Sequence, residues 1–393
     1  MAGVDGTPHA IDSGSCFPIG RPVFPPFGVP LSHTPLPRRK TMYRQRIIAP
    51  VLLCAILFAP VAHAATFCVA TAADLQTALV TSSNNSESNT IKVQTGTYLA
   101  PMNGFRYSRV SGANAFDMQG GWNAGCTTQT PDASLSVLDG QMMTNVMDAT
   151  DLSDPGGNMT IRYFTFLHGA SQSGAALGAF APGEVHVENC RFRLNNSDAA
   201  TSNVGIMHIS TKRGPIYFLD NMVANNSAAT SNSLVGFDLG AGADANVAFY
   251  INGNTIADNT YDLAQSQEGV IFVRPDAIVS LANNIIWGNG GFAFLQNITL
   301  HLLLLNNDIQ NLNVTPETGS GGNLAVDPQF VSTTNHHLQL ITPLYNAGAA
   351  TPVGGNSAFD LDGNPRVAFG VVDIGAYELQ SEGDTIFNDG FDG

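Results

Sequence analysis

The chain has 393 residues and a formal charge of −15 at pH 7, yet charged residues make up only 12% of it. With 44% hydrophobic residues it is unlike a disordered acidic chain and can fill a sizeable core. Removing the six basic and two acidic residues of positions 1–64 from totals of 16 and 31 leaves 10 basic and 29 acidic, a balance of −19. That balance argues against nucleic acid and anionic membranes as partners, since both need basic patches, and against a polyanionic polysaccharide unless calcium bridges the two.

Residues 1–41 are Pro-rich and aperiodic, with a basic end at Arg38, Arg39 and Lys40. Met42 then opens a signal peptide, residues 42–64. Arg44 and Arg46 form its positive start, Ile47 to Val61 its apolar stretch, and Ala62-His63-Ala64 the small-residue cleavage site. The apolar run is too short for a transmembrane anchor. Cys54 lies inside it without a lipobox, so a lipoprotein is not expected. The mature chain is expected to begin at Ala65, to keep no membrane span and to be secreted or held at the surface of a Gram-negative cell. If translation starts at Met42, residues 1–41 are an annotation artefact. Mass spectrometry of the precursor is then expected to find no peptide from residues 1–40, and one such peptide would refute that start.

Ala72 to Leu79 reads as a short amphipathic helix, and Ile91 to Tyr98 as a first strand and turn. The helix followed by T-I-x-V-x-x-G-T-Y at 90–98 resembles the start of pectate-lyase-like β-helices. Phe116–Trp122 and Val137–Gly140 continue that resemblance as further early coils. Three cysteines remain after cleavage, Cys68, Cys126 and Cys190. Export makes one disulfide plausible. Cys68–Cys126 is favoured because both lie near the N-terminal end, and the bridge would contribute roughly 4 kcal/mol through loop closure. The alternative is that all three are free. Cys190 sits in a strand pattern and reads as a small buried apolar residue.

A repeat follows: alternating apolar residues, an Asn, a short apolar step, and a second Asn. The first Asn falls at Asn189, Asn221, Asn254, Asn284 and Asn307, spaced by 32, 33, 30 and 23 residues. The second falls at Asn195, Asn226, Asn259, Asn289 and Asn311. Each spacing suits one coil of short strands, with length varying in polar stretches such as 197–203 and 228–233. Asn accepts the left-handed backbone conformation of a tight turn at little cost. Stacked coils would also bring equivalent amides ~4.8 Å apart, close enough to bond as a ladder. The expected fold class is therefore all-β, a right-handed parallel β-helix over residues 65–326 with a short N-terminal capping helix. A propeller would need longer blades and signature dipeptides that are absent.

Five blocks close the sequence in order: D-P-Q-F at 327–330, H-L-Q-L at 337–340, P-L-Y-N-A-G at 343–348, D-L-D-G-N-P-R at 360–366 and D-I-G-A-Y-E at 373–378. This series resembles the choice-of-anchor Q domain of secreted bacterial β-helix proteins. The resemblance implies a surface or secreted protein whose solenoid end is completed by residues 327–379; it implies no reaction. Residues 380–393 form a tail whose I-F-x-D-G-F resembles an end seen on exported proteins of some Gram-negative bacteria. A plain disordered end is the first expectation. A sorting role requires that deleting residues 381–393 shift the protein between medium and cell surface.

The β-helix scaffold hosts polysaccharide lyases and hydrolases, but their motifs are missing. His168-Gly169 is only a fragment of a polygalacturonase block, and Arg274-Pro275 lacks the second Arg of the lyase arrangement. Asp220, Asp238 and Asp244, with His208, Lys212 and Arg213, are the charged residues nearest the central coils. They read as solvated turn residues before they read as a catalytic face. Asp360–Gly363 begins like an EF-hand loop without its closing Glu. His336 and His337 are adjacent on a strand and point to opposite faces, so they cannot chelate together. No cofactor or metal is expected. The function read from the sequence is non-enzymatic adhesion or glycan binding, with an extracellular glycan or cell-surface component as partner and a monomer as the state. A lyase or glycoside hydrolase is the alternative. Exposed aromatics in a row, such as Tyr250 and Tyr261, would favour glycan binding.

Overall fold

The computed structural model describes residues 64–172, 174–197, 205–228, 233–239, 247–261, 269–273, 278–294 and 301–381. Residues 42–63 of the signal peptide, the Pro-rich extension, residues 382–393 of the tail, Asp244 and Arg274-Pro275 lie outside them. Three long sheets run along one stack. Sheet A has nine strands from Ala64–Val69 to His301–Leu305, sheet B eight from Gly96–Leu99 to Asp308–Ile309, and sheet C seven from Phe105–Arg109 to Phe292–Phe294. Every strand pair in them is parallel, and each strand bonds to its counterpart one coil away. The architecture is the parallel β-helix expected from the sequence, with strands dominant and one helix among the described residues.

Register explains the core. In sheet A, Phe116, Met159, Val185, Ile216, Phe249, Val279 and Leu302 stand in one column, all buried. Two residues on, Met118, Ile161, Val187, Phe218, Ile251, Leu281 and Leu304 form a second buried column. Strand period 2 sends alternate side chains inward, and each apolar side chain so buried contributes about 1.5–3 kcal/mol. Neighbouring coils supply the walls of each layer, so no coil is stable alone.

The N-terminal edge is covered. Helix Ala72–Asn84 is N-capped by Thr71, whose hydroxyl accepts from the Asp74 amide, and it buries Leu75, Ala78 and Leu79. Gln76 exchanges two 3.2 Å hydrogen bonds with the Arg106 backbone, and Ser83 Oγ accepts from the Ser108 amide at 2.9 Å. Side chains of the helix thus satisfy the edge strand of sheet C that would otherwise lack a partner. Cys68 and Cys126 form a disulfide that ties the first strand of sheet A to a later loop. Cys190 is free and buried, and burial pushes its thiol up to about 12. No described helix is long and apolar enough to cross a membrane.

Two asparagine ladders hold the corners between sheets. In the first, Asn221, Asn254, Asn284 and Asn307 each donate Nδ2 to the Oδ1 of the next, ending on Asn323, at 3.2, 2.9, 2.8 and 2.9 Å. Each Nδ2 also donates to a strand carbonyl of the coil before it: Val187, Phe218, Ile251 and Leu281. Each Oδ1 additionally accepts the backbone N–H of the ladder residue below it. The second ladder, Asn195, Asn226, Asn259 and Asn289, repeats this with 2.9 Å amide–amide bonds.

One expected member is corrected. Asn189 is outside the first ladder, because Val185–Glu188 pairs with Ile216–Leu219 and so places Cys190, not Asn189, level with Asn221. The Cys190 amide accordingly donates to Asn221 Oδ1 at 2.9 Å. Asn311 is likewise outside the second ladder; its amide donates to Gly291 O. The roles of turning and laddering, expected of one residue, fall on two successive ones. Asn189, Asp220, Gly253, Asn283 and Asn306 take the left-handed conformation (φ 47°, 53°, 67°, 60° and 52°), and the next residue carries the ladder.

Residues 327–379, expected to complete the end of the solenoid, run back along its flank. They contribute an antiparallel pair, Phe330–Ser332 with Asn335–Leu338, and then step down the left-handed corner coil by coil. Asn306 donates to Ala347 O, Asn283 to Ala349 O, Asn252 to Val353 O and Gly355 O, and Asn189 to Phe359 O, each at 2.8–2.9 Å. Asp220 accepts from the Ser357 amide at 2.8 Å. Arg366, 1% exposed, closes the return. It donates to Asp220 and Glu378 at 2.7 Å and to the Asp373 and Gly375 carbonyls. A Cβ at Gly253 would stand 2.0 Å from Asp220 Oδ1, so glycine there leaves room for this pair.

Replacing Asn254 by Ala strips partners from Asn221, Asn284 and the Phe218 carbonyl, all buried. It is expected to cost at least ~2 kcal/mol in denaturant unfolding, while Met102→Ala, at a side chain 90% exposed, stays within about 0.5 kcal/mol. Equal losses for the two variants would remove the ladder from the account of stability.

Candidate functional site

Outward positions of sheet C form a polar groove. Strands Phe105–Arg109, Met147–Asp151, Leu177–Ala181 and Met207–Thr211 bury alternate residues, and Ser233–Leu239, buried from Ser233 to Phe237, continues their register. The others stand in two outward columns set by register. One is Arg106, Asp148, Gly178, His208 and Gly236, and the other is Ser108, Thr150, Phe180, Ser210 and Asp238. Successive members are one strand spacing, ~4.8 Å, apart.

Gly178 interrupts the first column. With no side chain between Asp148 and His208, a cleft of about 330 Å³ opens there, lined by Arg106, Asn145, Asp148, Ser171, Gly174 and His208. Arg106 Nη2 lies 2.9 Å from Asp148 Oδ2, and Thr150 Oγ1 donates to Asp148 Oδ1 at 3.1 Å. The carboxylate is thereby oriented along the floor. His208 Nε2 is 3.7 Å from Asp238 Oδ2, an ion-pair distance beyond hydrogen-bond reach. Phe180 adds one half-buried apolar surface beside the gap. The groove therefore offers donors, acceptors and one ring, fixed on strands.

Its capacity for chemistry is limited by spacing. Asp148 and Asp238 are three coils apart and offset by two residues along the strand, so their backbones are separated by about 16 Å. Carboxyl pairs in glycoside hydrolases stand roughly 5–9.5 Å apart. Asp148 has Arg106 and Gly178 level with it on the adjacent coils, so no second carboxylate joins it across the sheet to share a cation. Among the described residues there is no group of three or more His, Cys, Asp or Glu placed to hold a metal.

The charged residues singled out from sequence part company. His208 and Asp238 share the groove. Asp220 is fully buried on Arg366. Lys212 and Arg213 both pair with Asp154, at 3.3 and 2.7 Å. His336 is buried against Asp258 at 3.1 Å while His337 reaches Asp362 at 2.6 Å, so the two diverge. Asp360 accepts from the Asp362, Asn364 and Glu378 amides, closing a turn in the EF-hand-like stretch. His168 sits 3.2 Å from Asp139.

The aromatic row takes another form than expected. On the outer face of sheet A, His186 stacks on Tyr217 with ring centroids 4.2 Å apart, and Tyr250 follows, tilted by 33° at 5.1 Å. Stacking on each other uses the ring faces that a sugar would need, and Gly354 packs against the Tyr250 ring base. The side chain of Tyr261 lies outside the described residues. His186 is gripped by Glu188 at 2.9 Å and Glu184 at 3.2 Å; burial opposes its charge, but the two carboxylates prevail and raise its pKa.

Arg106, Asn145, Asp148 and Gly178 were missed by the sequence reading, which followed the Asn repeats. Their strands precede those repeats in each coil, and the alternations F-R-Y-S-R, M-D-A-T-D, L-G-A-F-A and M-H-I-S-T carry the signal that aligns them. Comparison of the chain with protein-family models, curated proteins and solved structures gave no match.

Proposed function

We propose that this is an exported, non-enzymatic β-helix that binds an extracellular glycan along the outer face of sheet C. The carrying observation is the gap at Gly178 between Asp148 and His208, a cleft with fixed donors and acceptors. A linear glycan laid parallel to the stack would meet an equivalent position every ~4.8 Å, close to the length of one sugar ring. The negative balance of the chain selects a neutral glycan over a uronate polymer. The signal-peptide pattern at 42–64 supports export, with the protein secreted or held at the surface. The blocks at 327–379 suit a choice-of-anchor Q module on a pectate-lyase-like solenoid. An enzymatic reading would need a proton-transfer pair at the cleft, and the separation of Asp148 from Asp238 weighs against it.

The test is a glycan array with the secreted protein, run beside reducing-sugar and unsaturated-uronide assays. A neutral glycan is expected to be retained and no product formed. Gly178→Leu fills the cleft and should weaken retention tenfold or more, about 1.4 kcal/mol, with an unchanged melting temperature. Product release would overturn the non-enzymatic reading. Retention indifferent to Gly178→Leu would remove sheet C as the site.

A further inference from the structure

A second cleft, of about 280 Å³, lies where the returning C-terminal segment meets a corner of the solenoid. Its walls are Trp287, Phe330, Asp258, Asp327, Gln329 and Thr333. Trp287 ends strand Ile285–Trp287 of sheet B and points outward, in register with Ala257 and, one coil further, Ala224. The half-buried indole packs against the cluster of Ile285, Leu338, Leu344 and Ile374, and its remaining surface lines the cleft. Unlike Tyr217 and Tyr250, Trp287 stacks on no other ring among the described residues. Phe330 is held edge-on by His336, with centroids 5.0 Å apart at 76°.

The polar groups are positioned as firmly. Asp258 Oδ2 is 3.1 Å from His336 Nε2, and Asp327 Oδ1 accepts from the Gln329 amide at 2.9 Å. Burial lowers the pKa of His336 against the pull of Asp258. An indole face flanked by two oriented carboxylates and an amide is the chemistry that receives a hydroxylated ring. The apolar C–H face packs on the indole, and the hydroxyls donate to the carboxylates.

We propose that this cleft is a pyranose-binding subsite for a neutral sugar, formed jointly by the solenoid and the returning segment. Two carboxylates repel a uronate, and the volume accommodates a ring of pyranose size. The inference rests on the glycan-binding reading but uses a site separate from sheet C.

The chain has two tryptophans, Trp122 and Trp287. In a Trp122→Phe background, Trp287 fluorescence reports this cleft alone. Titration with cello-, malto- and manno-hexaose should give a saturable change with at least one of them, and none with a galacturonate hexamer. Trp287→Phe should keep binding within about tenfold by calorimetry and melt as the parent does, and Trp287→Ala, which melts lower because it vacates the cluster of Ile285, Leu338, Leu344 and Ile374, should lose binding at a temperature where it is still folded. Adding Gly178→Leu should leave the Trp287 response intact. If array binding through sheet C stands while no neutral hexasaccharide moves Trp287, the subsite is refuted and the groove survives. If no glycan binds by either readout, both readings fall. A response to the uronate equal to that of the neutral sugars overturns the charge selection and with it the proposal.

Discussion

The hydrogen bond from one asparagine amide to the next along a corner is what the rest of the structure depends on. Each coil must turn between sheets, and each turn buries backbone groups that no strand can satisfy. Asn254 shows the solution. Its oxygen takes the backbone and side-chain donors of Asn221, and its nitrogen reaches Asn284 and the Phe218 carbonyl. Buried amides left without partners would cost more than the bonds contribute when made, so the ladder fixes register as well as stability. Once register is fixed, apolar columns face inward and a defined set of polar side chains faces out. The sheet C groove is a by-product of that constraint, since Gly178 falls level with Asp148 and His208 only if the coils stack in this phase.

Separating the turn from the ladder gives the corner a second use. The left-handed residue points outward from the stack, and at five successive coils it or its neighbour bonds the returning segment. Arg366 then carries a buried charge whose burial is opposed by Asp220 and Glu378, which together keep it protonated. The outer wall of the second cleft exists only because that segment lies there.

Much of this was legible in the chain. Period-2 apolar runs ending in Asn describe a stacked architecture, because few folds can use a buried amide at so regular an interval. The placement of Asn189 was not legible. Asn283-Asn284 and Asn306-Asn307 both present two candidates for one ladder position, and Asp220-Asn221 and Gly253-Asn254 show that the second is the right one. Asn189-Cys190 hides the rule, because its ladder position is held by a thiol. The path of residues 347–360 was hidden for another reason. Its partners lie 41 to 171 positions away, and no local pattern reports bonds of that span. The groove was obscured by its own character, since outward residues of a strand carry no packing signature.

The returning segment also acts as a gauge of how many coils precede it. Its carbonyls at Ala347, Ala349, Val353 and Phe359 meet Asn306, Asn283, Asn252 and Asn189 in strict descending order. A solenoid without such a strip can lengthen by duplicating a repeat, since every new coil brings its own partners. Here a duplicated coil would push the strip out of phase and strand Arg366 away from Asp220. Growth of this protein by one repeat therefore demands a matching insertion in its C-terminal strip, which ties the evolution of the two parts together.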